Sequence, residues 1–157
     1  MNDIDVPLPP DALGPRLREV FDLVGPLYRR VQRKVEQSEP VEGLSVGVRA
    51  VLDLLHRGGP LTVPQMGRAQ AISRQYVQRM VNEAAARGLV EAVANPAHRR
   101  SSLIRLTDGG RSVITAVLAR EDLLMREVGG DLTEADVATC ARVLGEVLRV
   151  FDQVDVD

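Results

Sequence analysis

The chain contains no tryptophan, and aromatic residues make up only 3% of it, so a stacking platform for unpaired bases is not expected. Its one cysteine, Cys140, excludes an intrachain disulfide framework and fits a reducing compartment. The two histidines, His56 and His98, stand far from each other and from Cys140. No ligand set has metal spacing, and neither a metal nor a cofactor is expected. No apolar run approaches the roughly 18 residues of a membrane span, and the acidic opening MNDIDVPLPP has no apolar stretch of the signal-peptide kind. The expected location is therefore the cytoplasm. Also missing are a Ser/His/Asp or Cys/His constellation, a phosphate-binding glycine loop and a paired-carboxylate site, so an enzyme is not expected. The glycine pairs read instead as helix punctuation.

At 157 residues the chain can build one domain with a real core. Its net charge of −2 hides a strong asymmetry. Residues 61–112 carry Arg68, Arg74, Arg79, Arg87, Arg99, Arg100, Arg105 and Arg111 against Glu83, Glu91 and Asp108, a balance of +5. The segment before it sums to −1 and the segment after it to −6. A polyanion would be met by the middle of the chain, with the acidic C-terminal part facing away.

That middle stretch, Leu61–Thr107, has the most informative pattern. A short helix is expected over 62–69, then the turn Gln70-Ala71-Ile72, then a helix from Ser73 to about Arg87. In the second helix Val77, Met80, Val81 and Ala84 form one apolar stripe. Gln75, Gln78, Arg79 and Asn82 gather on the other side. A merely solvated face is richer in Glu and Lys. Gln, Asn and Arg are the side chains that pair bidentately with adenine and guanine in a major groove. Ser73 can cap the helix and aim its N-terminal amides at a phosphate, beside Arg74 and Tyr76. Gly88 should end the helix; strands are expected at 89–94 and 102–106, around the turn Asn95-Pro96 and the basic tip His98-Arg99-Arg100. A helix-turn-helix followed by a basic two-stranded ribbon is a winged helix, mainly α in class.

Long amphipathic helices flank this core. The first, about 11–37, repeats Leu13, Leu17, Val20, Val24, Leu27, Val31 and Val35 as a narrow seam, with Gly25-Pro26 expected to kink or interrupt it. Arg29, Arg30, Arg33 and Lys34 read as its solvated basic side. A helix over 45–57 carries Val48, Val51, Leu52 and Leu55, and another is expected from 107 or 108 to about 128. A last helix follows the capping box Thr133/Asp136, with Val137, Cys140, Leu144, Val147, Phe151 and Val154 at heptad spacing. Cys140 reads there as a small buried apolar residue. Seams at both ends would stay exposed in a monomer, which points to a twofold dimer through residues such as Leu17, Val20, Val24, Leu144 and Val147.

The order Leu61-Thr62, Ser73-Arg74, Gly88-Leu89-Val90, Asn95-Pro96, Arg99-Arg100, Leu106-Thr107 resembles the MarR family of bacterial transcriptional regulators, over nearly the whole chain. The wing matches best: the family's Asp-x-Arg and Leu-Thr-x-x-Gly correspond to His98-Arg99-Arg100 and Leu106-Thr107-Asp108-Gly109-Gly110. The chain departs from the pattern at His98, which replaces the usual carboxylate partner of the wing arginine. Gln70 stands where an apolar residue is usual, Ala71 where Gly is common, and Ala84 where a Leu commonly packs.

The resemblance implies one domain over 1–157, with dimerisation helices at 11–44 and 108–157 around a DNA-binding core at 45–107. It implies a homodimeric regulator of double-stranded DNA, a repressor in the usual case, with the wing arginine in the minor groove. It also implies a small aromatic or lipophilic effector, for which Phe21, Tyr28, Val48 and Leu52 are candidate lining residues; each serves equally well as a core residue. The family's oxidant sensors carry a cysteine in the N-terminal helix, and this chain has none there. The alternative is a winged helix that binds protein rather than DNA; the basic balance of 61–112 and the Gln/Arg/Asn face argue against it.

Overall fold

The computed structural model describes residues 6–38 and 44–152. The elements run α1 (Pro10–Ser38), α2 (Val46–Gly58), α3 (Val63–Gln70), α4 (Arg74–Ala86), β1 (Val90–Val93), β2 (Leu103–Leu106), α5 (Asp108–Met125) and α6 (Glu134–Val150). They fall into two compact units, Met1–Pro40 and Val41–Asp157, so α1 stands in the first and all other elements in the second.

Of the kink or interruption expected at Gly25-Pro26, the interruption is not found, because α1 continues through both Pro15 and Pro26. Each proline deprives one carbonyl a turn earlier, on Asp11 or Asp22, of its N–H partner. Both residues are exposed, so water can fill that role. Along α1, Leu17, Val20 and Val31 are half-buried, while Phe21, Val24, Leu27 and Tyr28 are exposed. α1 ends at Ser38, close to the end expected near 37, and the Val35 side chain lies outside the described residues.

In the second unit each helix begins where its sequence supplies a cap. Ser45 accepts from the Val48 N–H to start α2. Thr62 and Gln65 form a reciprocal capping box on α3, with Pro64 in the first turn, where no helical N–H is missed. The α2 stripe of Val48, Val51, Leu52 and Leu55 is buried, and so is the α4 stripe of Val77, Met80, Val81 and Ala84. α2 packs on α4 and α5, and α3 on α4. Met66, Leu89, Val90, Ile104, Leu106, Ile114 and Val117 complete the core. A largely buried ion pair, Arg49 with Glu121, ties α2 to α5. Gln70, polar where an apolar residue is usual, donates its amide to the Ala50 carbonyl on α2 at 3.0 Å.

β1 and β2 form an antiparallel ribbon in which Val90 faces Leu106 and Val93 faces Leu103. Leu61, just before α3, adds a bridge: its N–H donates to the Ile104 carbonyl at 3.1 Å and it accepts from the Ile104 N–H at 2.8 Å. The helix-turn-helix and the wing therefore share backbone hydrogen bonds.

The base of the wing is closed more tightly still. α4 ends in a Schellman turn, with Gly88 at φ +69°, the Leu89 N–H on the Ala84 carbonyl at 3.0 Å and the Gly88 N–H on the Ala85 carbonyl at 2.9 Å. The Thr107 hydroxyl donates to the Gly88 carbonyl at 2.6 Å and accepts from the Gly110 N–H at 3.0 Å. A Cβ on Gly110 would lie 1.8 Å from the Leu89 carbonyl oxygen. Gly109-Gly110, read from sequence as helix punctuation, thus sits inside the first turn of α5, and Gly110 is there because backbone meets backbone.

α5 ends at Met125, short of the Val128 expected. α6 opens with the Thr133/Asp136 capping box; hydrogen bonds from the Thr133 hydroxyl and then its N–H hold the Asp136 carboxyl below its ordinary range. No side chain of α6 is buried. Leu144 and Val147 are half-buried, and Val137 and Phe151 are exposed, Phe151 capping the helix. Cys140, expected to be buried, is exposed, because none of the described residues covers its side of α6. Val154 lies outside the described residues. Among those residues no helix is long and apolar enough to cross a membrane.

Replacing Gly110 by Ala should cost about 3 kcal/mol, because relief requires movement of main chain rather than of a side chain. Denaturant unfolding of the Gly110→Ala protein checks this, and Gly109→Ala, whose Cβ would come no nearer than 3.6 Å to Gly88 or Thr107, should lose far less.

Candidate nucleic-acid interface

The turn between α3 and α4 is compact because Ala71 takes the left-handed conformation, φ +52° and ψ +45°. Its N–H bonds the Arg68 carbonyl at 3.3 Å, and the Ile72 N–H bonds the Gly67 carbonyl at 3.0 Å. Ser73 then starts α4, its hydroxyl accepting from the Tyr76 N–H at 3.3 Å. That hydroxyl serves the cap as an acceptor and keeps its proton to donate.

Between α4 and the wing runs an open groove. Arg74, Gln75, Gln78, Arg79 and Asn82 line it from α4, and Arg100 lines it from the wing. The groove therefore gathers the amide and guanidinium groups expected of a base-reading face, all of them exposed. Ser73 and Tyr76 are half-buried and do not line it, and His98 and Arg99 stand exposed at the wing tip without joining it. Val63 and Pro64 at the head of α3, and Ala92, Ser101, Ser102 and Ile104 from the ribbon, also line it. None of these was singled out from sequence. The hydroxyls of Ser101 and Ser102, next to Arg100, were the readable signal, since Ser commonly donates to phosphate.

The polar face is partly organised already. Gln78 donates its amide to Asn82 Oδ1 at 2.9 Å, one turn on. The Arg79 guanidinium lies 5.0 Å from the centre of the Tyr76 ring, a cation–π contact. At the wing, the Asn95 side chain accepts from the Ala97 N–H at 3.0 Å, and the Ser101 N–H donates to the His98 carbonyl at 3.1 Å. These bonds fold the tip locally. Arg105 pairs across the ribbon with Glu91 at 2.8 Å, so its charge is offset in place. The seams are placed less decisively: Leu17, Val20, Leu144 and Val147 are half-buried, and Val24, Val137, Cys140 and Phe151 exposed. Of the candidate effector residues, Val48 and Leu52 are sealed in the core, whereas Phe21 and Tyr28 are exposed on α1.

Helix, left-handed turn, helix and backbone-bridged ribbon define a winged helix-turn-helix. A family model described as MarR family matches residues 42–101. A crystal structure of the MarR family transcription regulator SP03579 is 30% identical, covers 90% of this chain and 93% of its own, and superposes with a TM-score of 0.70. An operator-DNA complex of a mutant MarR from E. coli is 25% identical, with a TM-score of 0.59 over 84% of this chain and 97% of that one. The uncharacterized protein Rv2011c of Mycobacterium tuberculosis is 36% identical over 110 residues, 70% of this chain and 73% of the relative. The chain belongs to the MarR family of transcription regulators, and is a regulator rather than an enzyme.

Ala71 is exposed and holds a backbone conformation that suits glycine. Ala71→Gly should therefore raise stability by about 0.5–1 kcal/mol, the relief of left-handed strain exceeding the entropy gained by the unfolded chain. Thermal unfolding of the two proteins measures it; an equal or lower midpoint would show that the turn is not strained.

Proposed function

We propose that the protein is a homodimeric repressor that binds a pseudo-palindromic duplex site, with α4 in the major groove and the wing along the backbone and minor groove. The observation that carries this reading is the α4–wing groove, where Gln78, Arg79, Asn82 and Arg100 converge on one exposed concave face. The operator DNA bound by the E. coli MarR mutant supports the same use of the fold. The dimer is supported by α6, a helix without a buried side chain, and by apolar exposure such as 61% at Phe21 on α1 and 65% at Phe151. On this reading Cys140 and the seam around it are covered by the partner, and the protein works in the cytoplasm. One domain over 1–157, with paired ends around the winged helix, is the organisation proposed. Regulation of DNA binding by 6-hydroxynicotinic acid in Bordetella bronchiseptica BpsR, 25% identical, supports a small aromatic acid as effector here. Such a ligand acts only through its differential affinity for the DNA-competent and incompetent states.

Selection of bound fragments from random duplex DNA should recover inverted half-sites with centres about 10 bp apart, and affinity should fall steeply with salt. Arg79→Ala should cost about 1–3 kcal/mol and relax preference at one base pair per half-site. Arg100→Ala should weaken all sequences alike and lower the salt slope by about one. Equal losses for both variants at every site would overturn this division between helix and wing.

The dimer has its own test. Leu144→Glu places a charge on the α6 seam and should convert dimer to monomer, or unfold the chain, in sedimentation equilibrium. An unchanged dimer would move the interface off α6.

A further inference from the structure

We propose that Tyr76 is a positioning residue for Arg79: its ring holds the guanidinium ready for a guanine edge, and Tyr76 itself reads no base. This rests on the reading of α4 as the base-reading helix. The two residues are three apart on α4, so their side chains meet one turn apart. The guanidinium carbon sits 5.0 Å from the ring centre, within the range of cation–π attraction. Tyr76 is half-buried and does not line the groove, whereas Arg79 is exposed and does.

The ring is itself seated. A Cβ on Gly47, in the first turn of α2, would lie 2.8 Å from the Tyr76 hydroxyl and 2.3 Å from the Met80 sulfur. The hydroxyl end of Tyr76 and the Met80 side chain therefore share space that is open because residue 47 has no side chain. The main-chain N–H of Tyr76 donates to the Ser73 hydroxyl at 3.3 Å, which fixes the backbone that carries the ring. An arginine has many rotamers, and one that must order itself on binding loses part of its affinity to that ordering. A guanidinium already resting on a fixed aromatic face loses less. Because the contact is made by the ring and not the hydroxyl, phenylalanine should serve as well.

The test measures base preference in duplexes varied at each half-site position. Arg79→Ala identifies the base pair that Arg79 reads. Tyr76→Leu should lower discrimination at that same base pair about 2- to 5-fold, the range of an exposed cation–π contact. Tyr76→Phe should match the parent protein. In the Arg79→Ala background Tyr76→Leu should change nothing further at that position. A loss that persists there would mean that Tyr76 touches DNA on its own, and would overturn the proposal. So would discrimination unaffected by Tyr76→Leu in a folded protein, or an Arg79→Ala protein with every base preference intact.

Should Tyr76→Leu fail to fold, nuclear magnetic resonance of the unsubstituted protein decides. The Arg79 side-chain protons should show an upfield ring-current shift, and random-coil positions would overturn the proposal. If the unsubstituted protein selects no duplex sequence at all, the proposed function falls. An Arg79-dependent preference that ignores residue 76 sinks this inference alone.

Discussion

The groove depends on a closure of backbone on backbone at the base of the wing. The chain leaves α4 at Gly88, makes the ribbon and returns at Thr107, where one hydroxyl bridges the Gly88 carbonyl and the Gly110 N–H. Gly110 presses so close to Leu89 that no side chain fits between them. A ribbon of two short strands is marginal by itself. Here both its ends are fixed to the C-terminus of α4, and Leu61 holds its middle through Ile104. The distance from α4 to the wing is set by these contacts rather than by the ribbon's own stiffness.

Within that frame the polar face is arranged by short-range pairs. Gln78 and Asn82 share a hydrogen bond along α4, and Arg79 rests on Tyr76. Such pairs narrow the conformations from which binding begins, which favours affinity without adding contacts. Charge is arranged on a longer scale. The balance of +5 over 61–112 lies between acidic segments, so the field that attracts a polyanion comes from one part of a chain whose total charge is negative. Glu91 trims that field at Arg105 and leaves the groove face untouched.

Sequence periodicity was enough to locate the helices, because the stripes of α2 and α4 that are buried are the ones with regular apolar spacing. Some caps were legible too: Ser73, Thr107 and Thr133 start helices as expected, whereas Ser45 and Thr62 cap α2 and α3 at positions that the sequence marked only as helix starts. What could not be read locally depended on distant chain. Gly110 looks like a helix breaker until Leu89 is seen against it. Val63 and Pro64 join the groove lining because the Leu61–Ile104 bridge brings the head of α3 to the ribbon. The departure at Ala71 was visible in sequence, but its left-handed backbone was not. Gly25-Pro26 does not interrupt α1 because an exposed helix can lose one hydrogen bond to water and continue.

α6 has a consequence beyond geometry. It is a helix of 17 residues with a good N-cap and no buried side chain. In proteins most of a helix's stability comes from the packing of its apolar face rather than from intrinsic propensity. Its free energy of formation therefore comes largely from whatever lies against it, and mass action enters. The melting temperature of the protein should climb with its own concentration if the cover is a second copy, and dilution should loosen the C-terminal part before the winged helix. A regulator so built would couple its occupancy of DNA to its abundance more steeply than first order, without any ligand.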